Sequence, residues 1–288
     1  MADRELGIEL APWTWAMRPS GVTNIVSERG LQPDGGPYDL SIVMPAYNEE
    51  EGVGVTVAHL FQAFAKAGYR LELVAVDNGS IDRTGQVLAA MQATYPGLVI
   101  HRVEPNEGYG NGVLQGIPVT TAEWVGIIPA DGQVDAEDVV RLFDSARATN
   151  GRIVAKVRRR FRMDGPIRKI VSVSYNLFVL MLWPTLGSLD VNGSPKLLRR
   201  DILMSMRLTS KRWFLDPELM IKAHYLGLRV VELNVFARMR GTGLSHVRAV
   251  TCWEFFRDLL VYRFSGILPR WRRETLVAGA AIPAARAR

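Results

Sequence analysis

Cysteine is nearly missing from this chain: Cys252 stands alone among 288 residues. Its solitude excludes an intramolecular disulfide and a thiolate metal cluster, and fits a reducing compartment. Long apolar runs are missing as well. The nearest, "IVSVSYNLFVLMLWPTLG" from Ile170 to Gly187, is interrupted by Ser172, Ser174, Asn176 and Pro184. It falls short of the roughly 18 to 20 apolar residues that span a bilayer and reads as a buried or interfacial helix. The opening "MADRELGIELAPWTWAMRPS" lacks the charged-then-apolar order of a secretory signal, because acids and prolines break its apolar positions. The expectation is a cytoplasmic protein. Internal repeats are absent, and the one biased tract is a short Ala/Arg tail after Val277.

What is present is ordinary globular material, with 48% hydrophobic and 22% charged residues, enough for one large α/β domain with appendages. The net charge of +6 is concentrated. Between Arg152 and Lys169 eight basic residues (Arg152, Lys156, Arg158, Arg159, Arg160, Arg162, Arg168, Lys169) face Asp164 alone, which leaves the rest of the chain about neutral. Such a focus suits a diphosphate, a lipid phosphate or a membrane surface, or else a solvated basic face. It does not suit nucleic acid, since Phe161 is its single aromatic and no recognisable nucleic-acid module accompanies it.

Residues 1–38 show no sustained period and end in the turn-rich "LQPDGGPYD", so they are expected to form an extension. A strand-helix alternation follows: "LSIVMPA", "LELVAVD", "LVIHRVE", "WVGIIPA" and "RIVAKV" are apolar runs separated by segments of helical spacing. Continuous apolar strands between helices predict a parallel sheet covered on both faces. The second half breaks this rhythm with a long mixed helix through Trp183, the polar stretch "SLDVNGSPKLLRRD", a helix around "DPELMIKAHYLG", the strand "LRVVELNV", the loop "RMRGTGLSHVR" and the amphipathic "TCWEFFRDLLVYRFSGILPRW". It is expected to build an acceptor site over the carboxyl edge of the sheet.

Polar residues cluster where strands hand over to helices. In "VMPAYNEEEG" a proline, a tyrosine and acids follow the first strand. They present a ring edge and carboxylates to a base and ribose, or Asn48 caps a helix whose dipole Glu49 to Glu51 satisfy. In "AVDNGSIDRTG", Asp77 closes a strand and Ser80 or Asp82 caps the next helix, so Asp77 is placed to accept from a nucleobase or ribose. "EGYGNGVLQG" carries Gly108, Gly110 and Gly112, but the G-x-G-x-x-G spacing fails at Val113 and the motif follows the third strand. That argues against a dinucleotide-binding oxidoreductase.

With "SIVMPAYNEE", "VAVDNGSIDRTG", "EPNEGYGNGVLQGI" and "PADGQVDAED" in this order and spacing, the chain resembles glycosyltransferase family 2, nucleotide-sugar enzymes of the GT-A fold. The resemblance runs from about Leu40 to Val247 and is nearest to polyprenyl-phosphate sugar synthases of the dolichol-phosphate mannose synthase type. It implies an α/β, Rossmann-like, mostly parallel sheet with helices on both faces and a C-terminal acceptor-side helical segment. The implied organisation is an N-terminal extension (1–38), a GT-A domain (39–248) and an amphipathic helix and tail (249–288). It further implies that Pro45, Tyr47, Glu49 and Asp77 hold the nucleotide, that Asn106 and Gly108 shape the donor loop, and that Asp131 and Gln133 meet a metal and the diphosphate. Pro129 departs from the family pattern by replacing the first aspartate of that motif. Mg²⁺ or Mn²⁺ takes most of its octahedral oxygen ligands from phosphates and water, so one carboxylate and an amide can suffice. Asp135, Glu137 and Asp138 are further donors, or they cap the following helix.

The resemblance places Asp216 at the family's catalytic acid pair, while an aspartate before Pro217 is equally a helix N-cap. It implies that Arg238, Arg240, Ser245 and His246 close over the diphosphate, His246 standing where lysine is usual, and Arg159, Arg162 or Arg168 would hold a lipid phosphate. The implied reaction is inverting sugar transfer from a nucleoside-diphosphate sugar to polyprenyl phosphate, with the amphipathic segments near Phe178 and Phe255 on the membrane. A soluble glycan or natural-product acceptor with Asp216 as base is the alternative. A donor-binding protein without transferase activity is a third, motivated by Pro129.

Overall fold

The computed structural model describes residues 37–161, 166–188, 190–236 and 249–277. In chain order the first half runs β1 (Leu40–Ala46), α1 (Val53–Lys66), β2 (Leu71–Asp77), α2 (Thr84–Gln92), β3 (Leu98–Arg102), α3 (Tyr109–Gly116), β4 (Trp124–Ile127) and α4 (Ala136–Arg147). The second half runs β5 (Ile153–Phe161), α5 (Pro166–Leu182), β6 (Lys196–Arg199), α6 (Arg200–Ser205), α7 (Leu215–Tyr225), β7 (Arg229–Phe236), α8 (Ala249–Phe264) and α9 (Ile267–Arg272).

Every residue of β1 and of β2 is buried, and their side chains alternate between two cores. Val43, Val74 and Val76 join one cluster with Val113, Tyr175, Leu219 and Leu259. Ile42, Met44, Leu73 and Ala75 join the other with Val57, Phe64, Leu142 and Phe143. A strand buried on both faces has no polar face to show, which is why these segments read as continuous apolar runs. The helix α1 supplies Val53, Val57, Leu60 and Phe64, a spacing that lays one apolar stripe on the sheet.

Among the described residues seven strands form one sheet in the order β3-β2-β1-β4-β6-β5-β7. β1 pairs parallel with both β2 and β4, and β5 pairs parallel with β7. The sheet is therefore mostly parallel, as expected, and β6 runs antiparallel between β4 and β5. Its four residues, inside a polar stretch, were too few to carry a periodicity. The chain grows from β1 toward β3 on one side and resumes with β4 on the other. That reversal opens a crevice at the carboxyl ends of β1 and β4, where open α/β sheets bind ligands.

Candidate functional site

Two loops at this edge are stitched together. Asn48 N–H donates to Ser80 Oγ at 3.1 Å, Glu49 N–H to Thr84 Oγ1 at 2.8 Å and Glu50 N–H to Asp82 Oδ2 at 3.2 Å. In return Asn48 Oδ1 accepts from Ile81 N–H at 3.0 Å, and Glu50 Oε2 accepts from both Arg83 N–H and Nε at 3.0 Å. Hydrogen bonds from Arg83, its backbone N–H first, hold the Glu50 carboxyl below the usual range. Partial burial opposes ionisation of Asp82, but bonds from Thr84 and from the Glu50 backbone outweigh it and depress its carboxyl too. The helix-cap reading of Asn48 is corrected: α1 begins only at Val53 after Gly52, and its first turn holds no acid. Asn48 instead adopts φ 54°, a left-handed turn that asparagine tolerates. The zipper brings Pro45, Tyr47 and Glu49 to the same edge as Asp77.

Asp77 is 1% exposed. Its Oδ2 meets Arg102 Nη1 at 2.5 Å and its Oδ1 accepts from Ser80 N–H at 3.0 Å, so the protein engages both oxygens. The neighbouring Asn78, 2% exposed, is the residue that sequence reasoning missed. Its Nδ2 donates to Asn106 Oδ1 at 3.3 Å and to Gly108 O at 3.0 Å, while its Oδ1 has no hydrogen-bond partner among the described residues. A buried acceptor without a donor calls for one from outside. The clue in sequence was its place immediately after the strand-end aspartate. Asn106 and Gly108, both expected at the donor loop, are thus brought together with Asn78, and Asn106 Oδ1 also accepts from Gly108 N–H at 2.8 Å.

The glycines of this loop serve close approach. Gly108 has φ 113°, and a Cβ on Gly110 would stand 2.2 Å from Ser210 O. Here the segment before α7 presses onto α3: Asn111 N–H donates to Lys211 O at 2.7 Å, and Tyr109 stacks on Trp213 at 5.2 Å with planes 9° apart. Fully buried Glu218 fixes that segment by accepting from Thr209 N–H, Thr209 Oγ1 and Ser210 N–H, and it pairs with Lys222 Nζ at 2.6 Å.

Beyond β4, Gln133 N–H donates to Asp131 Oδ1 at 3.3 Å across Gly132, at φ 62°. Pro129, Asp131, Gln133 and Ser194 line a cleft of about 30 Å³, the space of about one water. A larger hollow of about 550 Å³ lies beside Asn150, Arg152 and Gly227, at the opposite, amino end of β5 and β7, and contains none of the expected residues. Glu137 and Asp138 occupy the first turn of α4, with Asp135 before it. That is the helix-start placement, favourable to the dipole. Among the described residues no three His, Cys, Asp or Glu side chains converge on one point.

Asp216 is not a helix cap. The cap position of α7 falls on Phe214 with no side-chain bond, and Asp216 Oδ1 instead pairs with Lys196 Nζ at 2.5 Å. Lys196 on β6 sits in register with Ile127 of β4 on one side and Lys156 of β5 on the other, and Lys156 is in register with Glu232 of β7. Lys156 Nζ donates to Asp190 O at 2.6 Å, Val157 O at 3.2 Å and Glu232 Oε1 at 3.2 Å. Burial first, then the charge of Lys196, lowers its pKa from 10.5 to about 8, against the pull of Asp190 and Glu232. Tyr175 on α5 is pushed up by burial and then by the negative charges of Asp216 and Asp258.

On its outer side α5 exposes Val173, Leu177 and Met181, and α8 exposes Leu260, Val261 and Phe264. The two helices join through Phe256, 5.8 Å from the ring of Tyr175 and 5.3 Å from that of Phe178. The exposed apolar positions are therefore the neighbours of half-buried Phe178 rather than Phe178 itself. No described helix is long and apolar enough to cross a membrane. Arg162, Arg238, Arg240, Ser245 and His246 lie outside the described residues, as do the side chains of Arg159, Arg168 and Phe255.

Comparison with known proteins places this geometry. Residues 41–207 match the model of glycosyl transferase family 2. An uncharacterised glycosyltransferase of Mycobacterium tuberculosis is 32% identical over 72% of this chain and 89% of its own. An undecaprenyl-phosphate 4-deoxy-4-formamido-L-arabinose transferase of Pectobacterium atrosepticum is 28% identical over 77% of this chain and 66% of its own. A dolichyl-phosphate beta-glucosyltransferase of Trichomonas vaginalis is 28% identical over 68% of this chain and 64% of its own. Among solved structures, glucosyl-3-phosphoglycerate synthase from Mycobacterium tuberculosis, in complex with Mn²⁺, uridine-diphosphate and phosphoglyceric acid, superposes with a TM-score of 0.63 at 20% identity, over 79% of this chain and 78% of that one. With its switch-point crevice, its four motifs and more than half its length matched, the chain belongs to glycosyl transferase family 2 and has the GT-A fold.

Proposed function

We propose that this glycosyltransferase moves a sugar, with inversion, from a nucleoside-diphosphate sugar to a polyprenyl phosphate at the cytoplasmic surface of a membrane. The observation that carries the reading is the apolar face of α5 and α8, because the buried side of α5 brings Tyr175 into the field of Asp216. A lipid-contacting surface and a transfer site then share one helix. The similarity to two polyprenyl-phosphate transferases supports the same acceptor class, and residues 249–288 form its membrane-contact segment.

In this reading Pro45, Tyr47 and Glu49 border the base and ribose. Asn78 Oδ1 accepts from a ring N–H of the base, and Asp77 braces the turn that presents it. Asp131 and Gln133 offer hard oxygen donors on a loop held by their mutual hydrogen bond, a donor set that suits Mg²⁺ or Mn²⁺ when phosphates and water complete the shell. Such an ion supplies charge compensation for a departing diphosphate. Arg238, Arg240, Ser245 and His246 add donors to the same anion, and Arg159, Arg162 and Arg168 hold the acceptor phosphate. An acceptor phosphate oxygen forms its bond to the anomeric carbon as the bond from that carbon to the diphosphate oxygen breaks, the electron pair leaving with the nucleoside diphosphate. The acceptor arrives ionised, so no proton has to be removed. Asp216 then stabilises the positive charge that builds at the anomeric carbon.

A hydroxyl of a soluble acceptor is the second reading, favoured by Asp216 as a carboxylate able to take its proton. Radiolabelled UDP-glucose and GDP-mannose, each with Mn²⁺, are offered with undecaprenyl phosphate in vesicles or with vesicles lacking it. Label extracted into butanol only when the polyprenyl phosphate is present supports the first reading. Label confined to water-soluble products overturns it.

A further inference from the structure

The buried ammonium of Lys196 has no place in the chemistry described so far. We propose that Lys196 is a positioning residue of the transfer reaction, holding the carboxylate of Asp216 at the side of the cleft that contains Asp131. This inference rests on the transferase reading above and assigns a further residue to the same site.

Lys196 is 0% exposed and lies next to Leu197 and Leu198, both fully buried. Taking an ammonium out of water costs several kcal/mol, and ion pairing often no more than offsets that cost. Stability alone would be served as well by an apolar residue at this position, beside the two buried leucines of the strand. Its neighbour in register is another fully buried lysine, Lys156, and like charges side by side in a sheet repel. Lys156 is served by three acceptors, Asp190 O, Val157 O and Glu232 Oε1. Lys196 has a single described partner, Asp216 Oδ1 at 2.5 Å.

The geometry ties that partner to the cleft. Ser194, two positions before Lys196, lines the cleft with Asp131, and its hydroxyl donates to Ile127 O at 3.1 Å. Ile127 is the residue in register with Lys196, and it leads directly into the loop of Asp131. The segment from Ser194 into β6 thus carries both the wall of the cleft and the cation that fixes Asp216. Asp216 keeps 11% of its side chain exposed while Lys196 has none, and its Oδ2 makes no hydrogen bond among the described residues. A carboxylate bound through one oxygen, with the other still available, is an arrangement suited to meeting substrate.

The test compares the native chain with Lys196→Met, Asp216→Asn and the double variant, using UDP-glucose or GDP-mannose, Mn²⁺ and undecaprenyl phosphate in vesicles. Lys196→Met is expected to lower kcat roughly hundredfold, the scale of a misplaced reacting group, with the donor KM within about twofold of native. Asp216→Asn lowers kcat similarly, and the double variant is no slower than Asp216→Asn, because Lys196 acts through that carboxylate. Lys196→Met also lowers Tm by stranding a charge, and the double variant recovers part of it. If Lys196→Met fails to fold, the double variant carries the test by matching Asp216→Asn. A native kcat in Lys196→Met, multiplying losses in the double variant, or a loss confined to donor KM overturns the inference and leaves the transferase reading standing. Native rates in Asp216→Asn overturn it as well. Absence of transfer to polyprenyl phosphate by the native chain removes that acceptor reading, and the inference with it.

Discussion

The carboxamide of Asn78 donates to the carbonyl of Gly108 at 3.0 Å, joining the end of β2 to the start of α3 across thirty residues of chain. Because the same group donates to Asn106, its oxygen is aimed by two bonds on the nitrogen side and has no described partner of its own. Replacing it with alanine removes both of these side-chain hydrogen bonds, while the Gly108 carbonyl keeps the N–H groups of Asn111 and Gly112 as donors. Asn78→Ala is expected to cost about 1 to 3 kcal/mol of stability and to weaken nucleoside-diphosphate binding roughly tenfold. Thermal unfolding and titration calorimetry with UDP and GDP check both.

Among the described residues, Asp131 is the one carboxylate lining the cleft beside Pro129. Asp131→Ala is expected to abolish most of the Mn²⁺-supported transfer, by roughly a hundredfold or more. Pro129→Asp adds a second hard donor and is expected to tighten Mn²⁺ binding roughly tenfold without nucleotide, and by less with it. Calorimetric titration of Mn²⁺ with and without UDP distinguishes the two conditions.

Lys156 gives a pH signature. Its pKa falls from 10.5 to about 8 on folding, so between those values the unfolded chain binds a proton that the folded chain has released. Stability from this site therefore rises with pH through that window and is lost as pH falls toward 8, below which both states carry the proton. The Tm of the native chain relative to Lys156→Met is expected to improve from about pH 8 to about pH 10.5, read by thermal unfolding of both proteins across the range.

Leu177 and Phe264 are 67% and 73% exposed on neighbouring helices. If they enter a lipid surface, each contributes about 2 kcal/mol of apolar burial, so Leu177→Glu with Phe264→Glu is expected to reduce vesicle partitioning by roughly a hundredfold or more. Flotation on phosphatidylglycerol vesicles measures this, and UDP binding by the same double variant is expected to stay at the native level.

The alternation of β1 to β5 with their helices was legible because each strand is apolar on both faces and each helix keeps one stripe. Those patterns depend on neighbours within a few residues. The strand β6 was not, because four residues leading with a lysine look polar until a sheet closes around them. Asp77 was singled out correctly as a strand-end carboxylate, yet its freedom to meet a ligand depended on Arg102, twenty-five residues away. Asp216 looked like a helix cap because Pro217 follows it, and its pairing with Lys196 became visible only when β6 entered the sheet.

Sequence alone determined the class of the fold, because hydrophobic period and local turn chemistry are written within each segment, and its four motifs carried the resemblance to a family. Tertiary structure decided which polar atoms are already satisfied and which remain for a ligand. That balance is set by burial and by partners from distant strands: it engages both oxygens of Asp77, leaves Asn78 Oδ1 without a described partner, and buries a lysine beside two leucines.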